Sequence, residues 1–246
     1  MVLDVFEVSL YLPNPIRFTL RLTPLIHSKT TLQHPPLCLT MPPSLEDISR
    51  NYVDAGNSLE RINHRKTKLK LAIVESNPLW PQRFLDTKAR IKAALGSTAV
   101  AIFHIGSTSV PGLPAKDVID IDLVVKDIKD EDSYVEPLER LGFRFLFREP
   151  TWHQHRFFVD EGDRPGAFPI NLHVFGPDCP EVERHRIFRD WLVKSPGDLQ
   201  MYASVKRECA AASEAAGESM QEYTLRKEKI ISEILYSAFR DLGYIK

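Results

Sequence analysis

One stretch constrains this chain more than any other: residues 104–125, HIGSTSVPGLPAKDVIDIDLVV. Its second half, 118–125, alternates like a strand. Successive strand side chains point to opposite faces, so Asp120 and Asp122 share one face with Val118 and Val124. Ile119, Ile121, Leu123 and Val125 take the other face and read as core. Two carboxylates at this spacing lie about 6–7 Å apart. At an effective dielectric of about 20 they repel by roughly 2–3 kcal/mol. A bound cation relieves that repulsion, and Mg²⁺ suits it because it takes one or two carboxylates plus substrate phosphates.

The first half supplies an anion site. Gly106-Ser107 follows a strand-like run at 99–105, and ligands of open α/β sheets gather beyond the carboxyl ends of strands. Glycine permits close backbone approach, and consecutive N–H groups in such a turn form an anion-binding concavity. Ser107, Thr108 and Ser109 add hydroxyls, and Lys116 adds a cation. Pro111, Gly112 and Pro114 leave room for only a short helix after the turn. Taken singly, a Gly-Ser turn is an ordinary turn and an Asp-x-Asp is often a solvated edge strand. Here twelve residues separate Ser107 from Asp120 between two apolar strands, which joins them into one candidate site.

Gly-Ser, that spacing and Asp-x-Asp together resemble the signature of the polymerase-beta-like nucleotidyltransferase superfamily. More closely, the whole segment is similar to the core motif of the GrpB family. The likeness extends to SNPLWPQRF at 76–84, INLHVF at 170–175, HRIFRDWL at 185–192 and the tail at 201–235, over about residues 70–240. The resemblance implies an α/β (α+β) fold: a nucleotidyltransferase-like mixed sheet flanked by helices, with a helical C-terminal segment. It implies a Mg²⁺ or Mn²⁺ ion at Asp120 and Asp122. A nucleoside triphosphate would be held by Gly106 and Ser107, with His104, Thr108 and Lys116 beside them. A nucleotidyl group would pass to an acceptor that the motifs do not identify. Some family members are fused to dephospho-coenzyme A kinase, which suggests an accessory role near coenzyme A metabolism as an alternative. The kinase's own Gly-x-x-x-x-Gly-Lys-Ser/Thr loop does not occur in this chain.

The superfamily pattern expects a third carboxylate on the strand at 170–175, and that run has no acid. His173 takes the position, with Asn171 on the same face. A neutral histidine ligates Mn²⁺ better than Mg²⁺, or acts as a base near pH 7. A hydrogen-bonded core histidine is an equal reading. Arg156 enters a strand and is a candidate phosphate clamp. His153 and His155 form a His-x-His, and Lys227 is a candidate phosphate contact in the tail. Three functions follow: a nucleotidyltransferase using Asp120, Asp122 and His173; a catalytically degenerate nucleotide-binding module; or a metal-dependent hydrolase adding His153 or His155.

Composition narrows the partners. The net charge of −1 gives no global attraction for nucleic acid. No apolar run reaches the ~18 residues of a membrane span. Three scattered cysteines, Cys38, Cys179 and Cys209, argue for a reducing compartment such as the cytoplasm. Residues 1–45 hold seven of the 18 prolines, and no acid lies between Glu7 and Glu46. Residues 1–67 therefore read as a low-order extension, with mitochondrial import or an alternative start at Met41 as further readings. The domain reads as 68–242. Strands are expected at 68–74, 99–105, 118–125, 144–147, 156–159 and 170–175. A helix after Pro81 carries Phe84, Leu85, Ile91 and Leu95 on one side, and a short one carries Tyr134, Leu138 and Leu141. Three helices follow at 180–193, 197–216 and 218–242.

Overall fold

The computed structural model describes residues 43–50, 59–67 and 71–246. The import and Met41 readings lie outside these residues. Six strands form one mixed sheet: β1 (Glu60–Arg61), β2 (Ala99–Ile105), β3 (Ile119–Val125), β4 (Arg144–Glu149), β5 (His155–Glu161) and β6 (Pro169–Phe175). Their spatial order is β1-β4-β5-β6-β3-β2. β3 and β6 run parallel, placing Asp120 beside Asn171 and Asp122 beside His173. Every other neighbouring pair is antiparallel.

One face of the sheet is the main core. Ile119, Ile121, Leu123 and Val125 pack there as alternation requires. Against them lie α2 (Trp80–Leu95) and α3 (Val135–Arg140). Proline sits at the start of α2, where its missing N–H costs nothing, and Gly96 ends it at φ 53°. The buried stripe of α2 is Trp80, Phe84, Thr87, Ile91 and Leu95. Leu85 departs from the sequence expectation: it is 52% exposed, because it lies about 100° around the helix from Phe84.

The other face carries Val124 and Phe175, packed on Val182 of α4 (Pro180–Lys194). Next come α5 (Pro196–Ala215), α6 (Met220–Arg226) and α7 (Glu228–Asp241). Leu192, Tyr202, Ile230 and Ile234 from these helices clamp Val110 and Leu113 of the loop after the Gly-Ser turn. The single helix expected at 218–242 is thus two. The break at Lys227 has neither glycine nor proline to announce it, while Ser219 and Glu222 form a reciprocal cap at the start of α6.

The described parts of the N-terminal stretch contact this body. Ile48 of α1 (Leu45–Ser49) packs with Ile187, Leu235 and Phe239. Arg184 donates to the Ile48 carbonyl at 2.7 Å, and β1 pairs with β4. A five-residue helix and a two-residue strand are too short to show a period, which is why the sequence read them as extension. Of the strand expected at 68–74, residues 68–70 lie outside the description, and Val74 makes only an isolated bridge to Ala115.

Candidate active site

β2 delivers the turn beside the acidic strand: Ile105 is in register with Asp120. Gly106 adopts φ 66°, and Ser107–Ser109 form one 3-10 turn. A Cβ on Gly106 would stand 2.5 Å from Asp120 Oδ2. Glycine is required twice here, by the backbone angle and by the carboxylate behind it.

The two aspartates share a face as expected, yet differ in access. Asp120 borders open cavity, and its Oδ1 accepts from Asn171 Nδ2 at 2.7 Å. Arg65 in turn donates to Asn171 Oδ1 at 2.7 Å. Asp122 is fully buried, with Oδ2 held by His185 Nδ1 at 2.9 Å. Its Oδ1 has no partner among the described residues. Burial alone would lower the His185 pKa; the charge and hydrogen bond of Asp122, with Glu181, instead raise it to about 9. His185 is therefore an imidazolium at neutral pH.

His173 belongs to a relay. Glu149 Oε2 pairs with His155 Nδ1 at 2.7 Å, and His155 Nε2 pairs with His173 Nδ1 at 3.0 Å. Burial lowers both histidines to about 3, so both are neutral. The carboxylate can only accept, so His155 carries its proton on Nδ1 and accepts through Nε2. His173 then donates from Nδ1 and keeps a lone pair on Nε2, an assignment that follows from the network. His155 is buried in this relay, whereas His153 is not among the residues lining the cavity.

A cavity of about 730 Å³ opens in front of Asp120, lined by Gly106, Ser107, Thr108, Lys116, Asn171 and His173. Arg65, Lys206 and Lys227 complete a basic wall, and His64 reaches it too. Lys206 is only 2% exposed; its Nζ donates to the Pro114 carbonyl at 2.5 Å. Burial first, then the charge of Lys227, lowers Lys206 to about 6. Burial and Lys116 lower Lys227 to about 8. The charge of Asp120 acts on both amines in the opposite sense, raising their affinity for a proton. Lys227 also sits over the Tyr223 ring, 4.2 Å from its centroid.

Two expected ligand contacts fall elsewhere. Arg156 lies on the opposite face of the sheet, paired with Glu131 at 2.9 Å, because it alternates with His155. It cannot clamp a phosphate at Asp120. His104 stacks on Phe84 at 4.8 Å on the α2 side and meets Thr108 Oγ1 at 3.0 Å. Burial and Arg189 lower it to about 4, so it braces the turn as a neutral ring. Among the described residues, no group of three or more His, Cys, Asp or Glu side chains is placed to hold a metal ion. The expected trio is divided: Asp122 turns to His185, and His173 Nδ1 turns to His155.

Sequence reasoning gave no role to His185, Arg65 or Glu149, and it read Lys206 as part of a solvated face, which the burial of Lys206 overturns. His185 lay inside a quoted motif. Lys206 carried a signal, since it falls in the buried stripe Ala203, Lys206, Ala210 and Ser213 of α5. Arg65 and Glu149 carried none.

A mixed sheet with a Gly-Ser turn against an Asp-x-Asp strand, helices behind it and a basic cavity before it defines an α+β protein with the expected architecture. The chain belongs to the GrpB protein family, whose sequence model matches residues 70–237. A UPF0157 protein of Halalkalibacterium halodurans is 38% identical over 201 residues, covering 80% of this chain and 98% of that one. A dephospho-CoA kinase of Mycobacterium tuberculosis is 31% identical over 216 residues, 75% of this chain but 51% of the kinase. The crystal structure of conserved protein GrpB from Enterococcus faecalis aligns with TM-score 0.57 at 25% identity, covering 70% of this chain and 99% of that chain. No helix among the described residues is long and apolar enough to cross a membrane.

Proposed function

We propose that the chain binds a nucleoside triphosphate at the Gly-Ser turn and transfers its nucleotidyl group to an acceptor hydroxyl. The observation that carries this reading is the basic wall of Arg65, Lys116, Lys206 and Lys227 facing Gly106, Ser107 and Asp120. Arg65, Lys116 and Lys227, with Lys206 able to take up a proton beside an anion, suit a polyphosphate tail. The backbone of the turn and the Ser107 hydroxyl bind phosphate oxygens. The lysines hold the β- and γ-phosphates and stabilise the charge that grows on the leaving group.

The acidic face fits one divalent ion rather than two. Asp122 Oδ1 is buried with no partner among the described residues, and Asp120 offers a second oxygen, while the His185 imidazolium already balances Asp122. A Mg²⁺ or Mn²⁺ ion held there would supply charge neutralisation between carboxylate and phosphate. The acceptor oxygen bonds to the α-phosphorus as the bridging P–O bond breaks and pyrophosphate leaves. The acceptor's proton passes to the His173 Nε2 lone pair, whose direction Glu149 and His155 maintain.

The test is a thermal-shift panel of ATP, CTP, GTP and UTP with Mg²⁺ or Mn²⁺. Ligand at 100 times its dissociation constant should stabilise the wild type by about 2.7 kcal/mol. Asp120→Asn should lose the metal-dependent part, and Lys206→Met most of the whole. No shift with any nucleotide in folded protein would sink the reading. A second reading, a nucleotide-binding accessory module without transfer, draws on His173 standing where a third carboxylate is expected. It predicts the same shifts with no pyrophosphate released.

A further inference from the structure

A second cavity, about 490 Å³, lies on the other side of Asp120. It shares Gly106, Asp120, Tyr202 and Thr224 with the basic cavity and differs from it in every other lining residue. Its walls are apolar: Ile105, Phe188, Ile231 and Leu235. Leu225 belongs to it and is 58% exposed, an unusual place for a large aliphatic side chain unless something covers it.

The charges of the two cavities are opposite in character. Both cations of the second are already engaged. Arg184 donates to the carbonyls of Ile48 and Arg50 and pairs with Glu181 at 3.2 Å. His185 lies between Asp122 at 2.9 Å and Glu181 at 3.5 Å. Glu228 makes no ion pair or hydrogen bond among the described residues, and Asp120 lines this cavity as well as the basic one. An anion entering here would meet the Glu228 carboxylate, whereas an amine would be matched by it. The volume is that of a small-molecule site, with apolar walls and a few polar groups to orient the ligand.

Resting on the nucleotidyltransferase reading, we infer that this cavity is the acceptor site. Its ligand class is a small, phosphate-free molecule with an apolar body, an amine facing Glu228 and a hydroxyl directed past Asp120 toward the Gly-Ser turn. Donor and acceptor then approach from two sides of one carboxylate. The acceptor oxygen forms the new bond to the α-phosphorus, pyrophosphate departs on the basic side, and the hydroxyl proton goes to His173.

The inference can be tested on the full chain by ligand-observed NMR with four matched probes: 2-phenylethylamine, 2-phenylethanol, 3-phenylpropionate and phenyl phosphate. The amine should bind best and the alcohol next, with both anions weakest. Ser232→Trp, which fills the cavity from α7, should abolish amine and alcohol binding. Exposed Glu228→Gln, chosen because it leaves packing alone, should weaken the amine about two- to five-fold and leave the alcohol unchanged. Lys206→Met should alter neither. Anionic probes binding best, or amine binding that responds to Lys206→Met instead of Glu228→Gln, would overturn the inference. Inorganic tripolyphosphate binding, measured in the same samples, separates the two readings. Its absence with the amine site intact removes the donor and leaves a cation-binding cavity, whereas its presence with no amine binding removes the acceptor site alone.

Discussion

Gly106 carries the tightest constraint in the site. A methyl group there would stand 2.5 Å from Asp120 Oδ2 at a backbone φ of 66°. Gly106→Ala should therefore move Asp120 or the turn and cost about 1–3 kcal/mol of strain. Urea unfolding measures that loss. A nucleotide-induced shift that survived unchanged in the variant would show that turn and carboxylate are not coupled. Lys206 is the contrasting case. Burial holds its amine largely neutral at neutral pH in the unliganded fold, at a standing cost, and bound phosphate would draw a proton onto it. Lys206→Met should thus raise the melting temperature of the free protein while reducing its response to nucleotide.

Among the elements, α2 separates packing from mere apolarity. Ile91 is fully buried in the stripe with Trp80, Phe84 and Leu95, while Leu85 faces solvent. Ile91→Ala should destabilise by about 2–5 kcal/mol and Leu85→Ala by less than about 0.5 kcal/mol. Equal effects in chemical denaturation would contradict this placement of the helix. The acidic strand was legible from its alternation, and the turn before it from the Gly-Ser pair. The helix break at Lys227 was not, because no local residue type demands it. Beside the break, the Tyr223 ring lies under Lys227 and under Lys116, which comes from a segment more than a hundred residues away.

For the molecule as a whole, buried neutral histidines set the acid limit. Burial lowers His155 and His173 to about 3 and His104 to about 4. Below the unfolded pKa of about 6.5 the unfolded chain takes up protons that the fold refuses. Each such histidine removes about 1.4 kcal/mol of stability per pH unit until its folded pKa is reached. Urea midpoints should therefore fall steeply from pH 6.5 to pH 4. His185 has the opposite sign: its pKa is raised to about 9, so its contribution is complete below about 6.5 and disappears as pH rises through about 9. The destabilisation caused by His185→Gln should be larger at pH 6 than at pH 9.5. A pH-independent difference would mean that His185 and Asp122 are not an ion pair.

The sequence by itself determined the acidic strand, the Gly-Ser turn, the helical tail and the family resemblance, which in turn implied the mixed sheet. These rest on local periods of two and 3.6 residues and on ordered motifs, which a single chain displays directly. Only the tertiary structure decided what each polar group faces. Alternation put Asp120 and Asp122 on one face, but α4 covered only the second and supplied His185 to it. The same alternation sent Arg156 to the far side, where Glu131 takes it. Arg65 joined Lys206 and Lys227 from more than a hundred residues away. Charge in a folded chain is governed by such long-range neighbours and by burial, and neither is written in the spacing of residues along one strand.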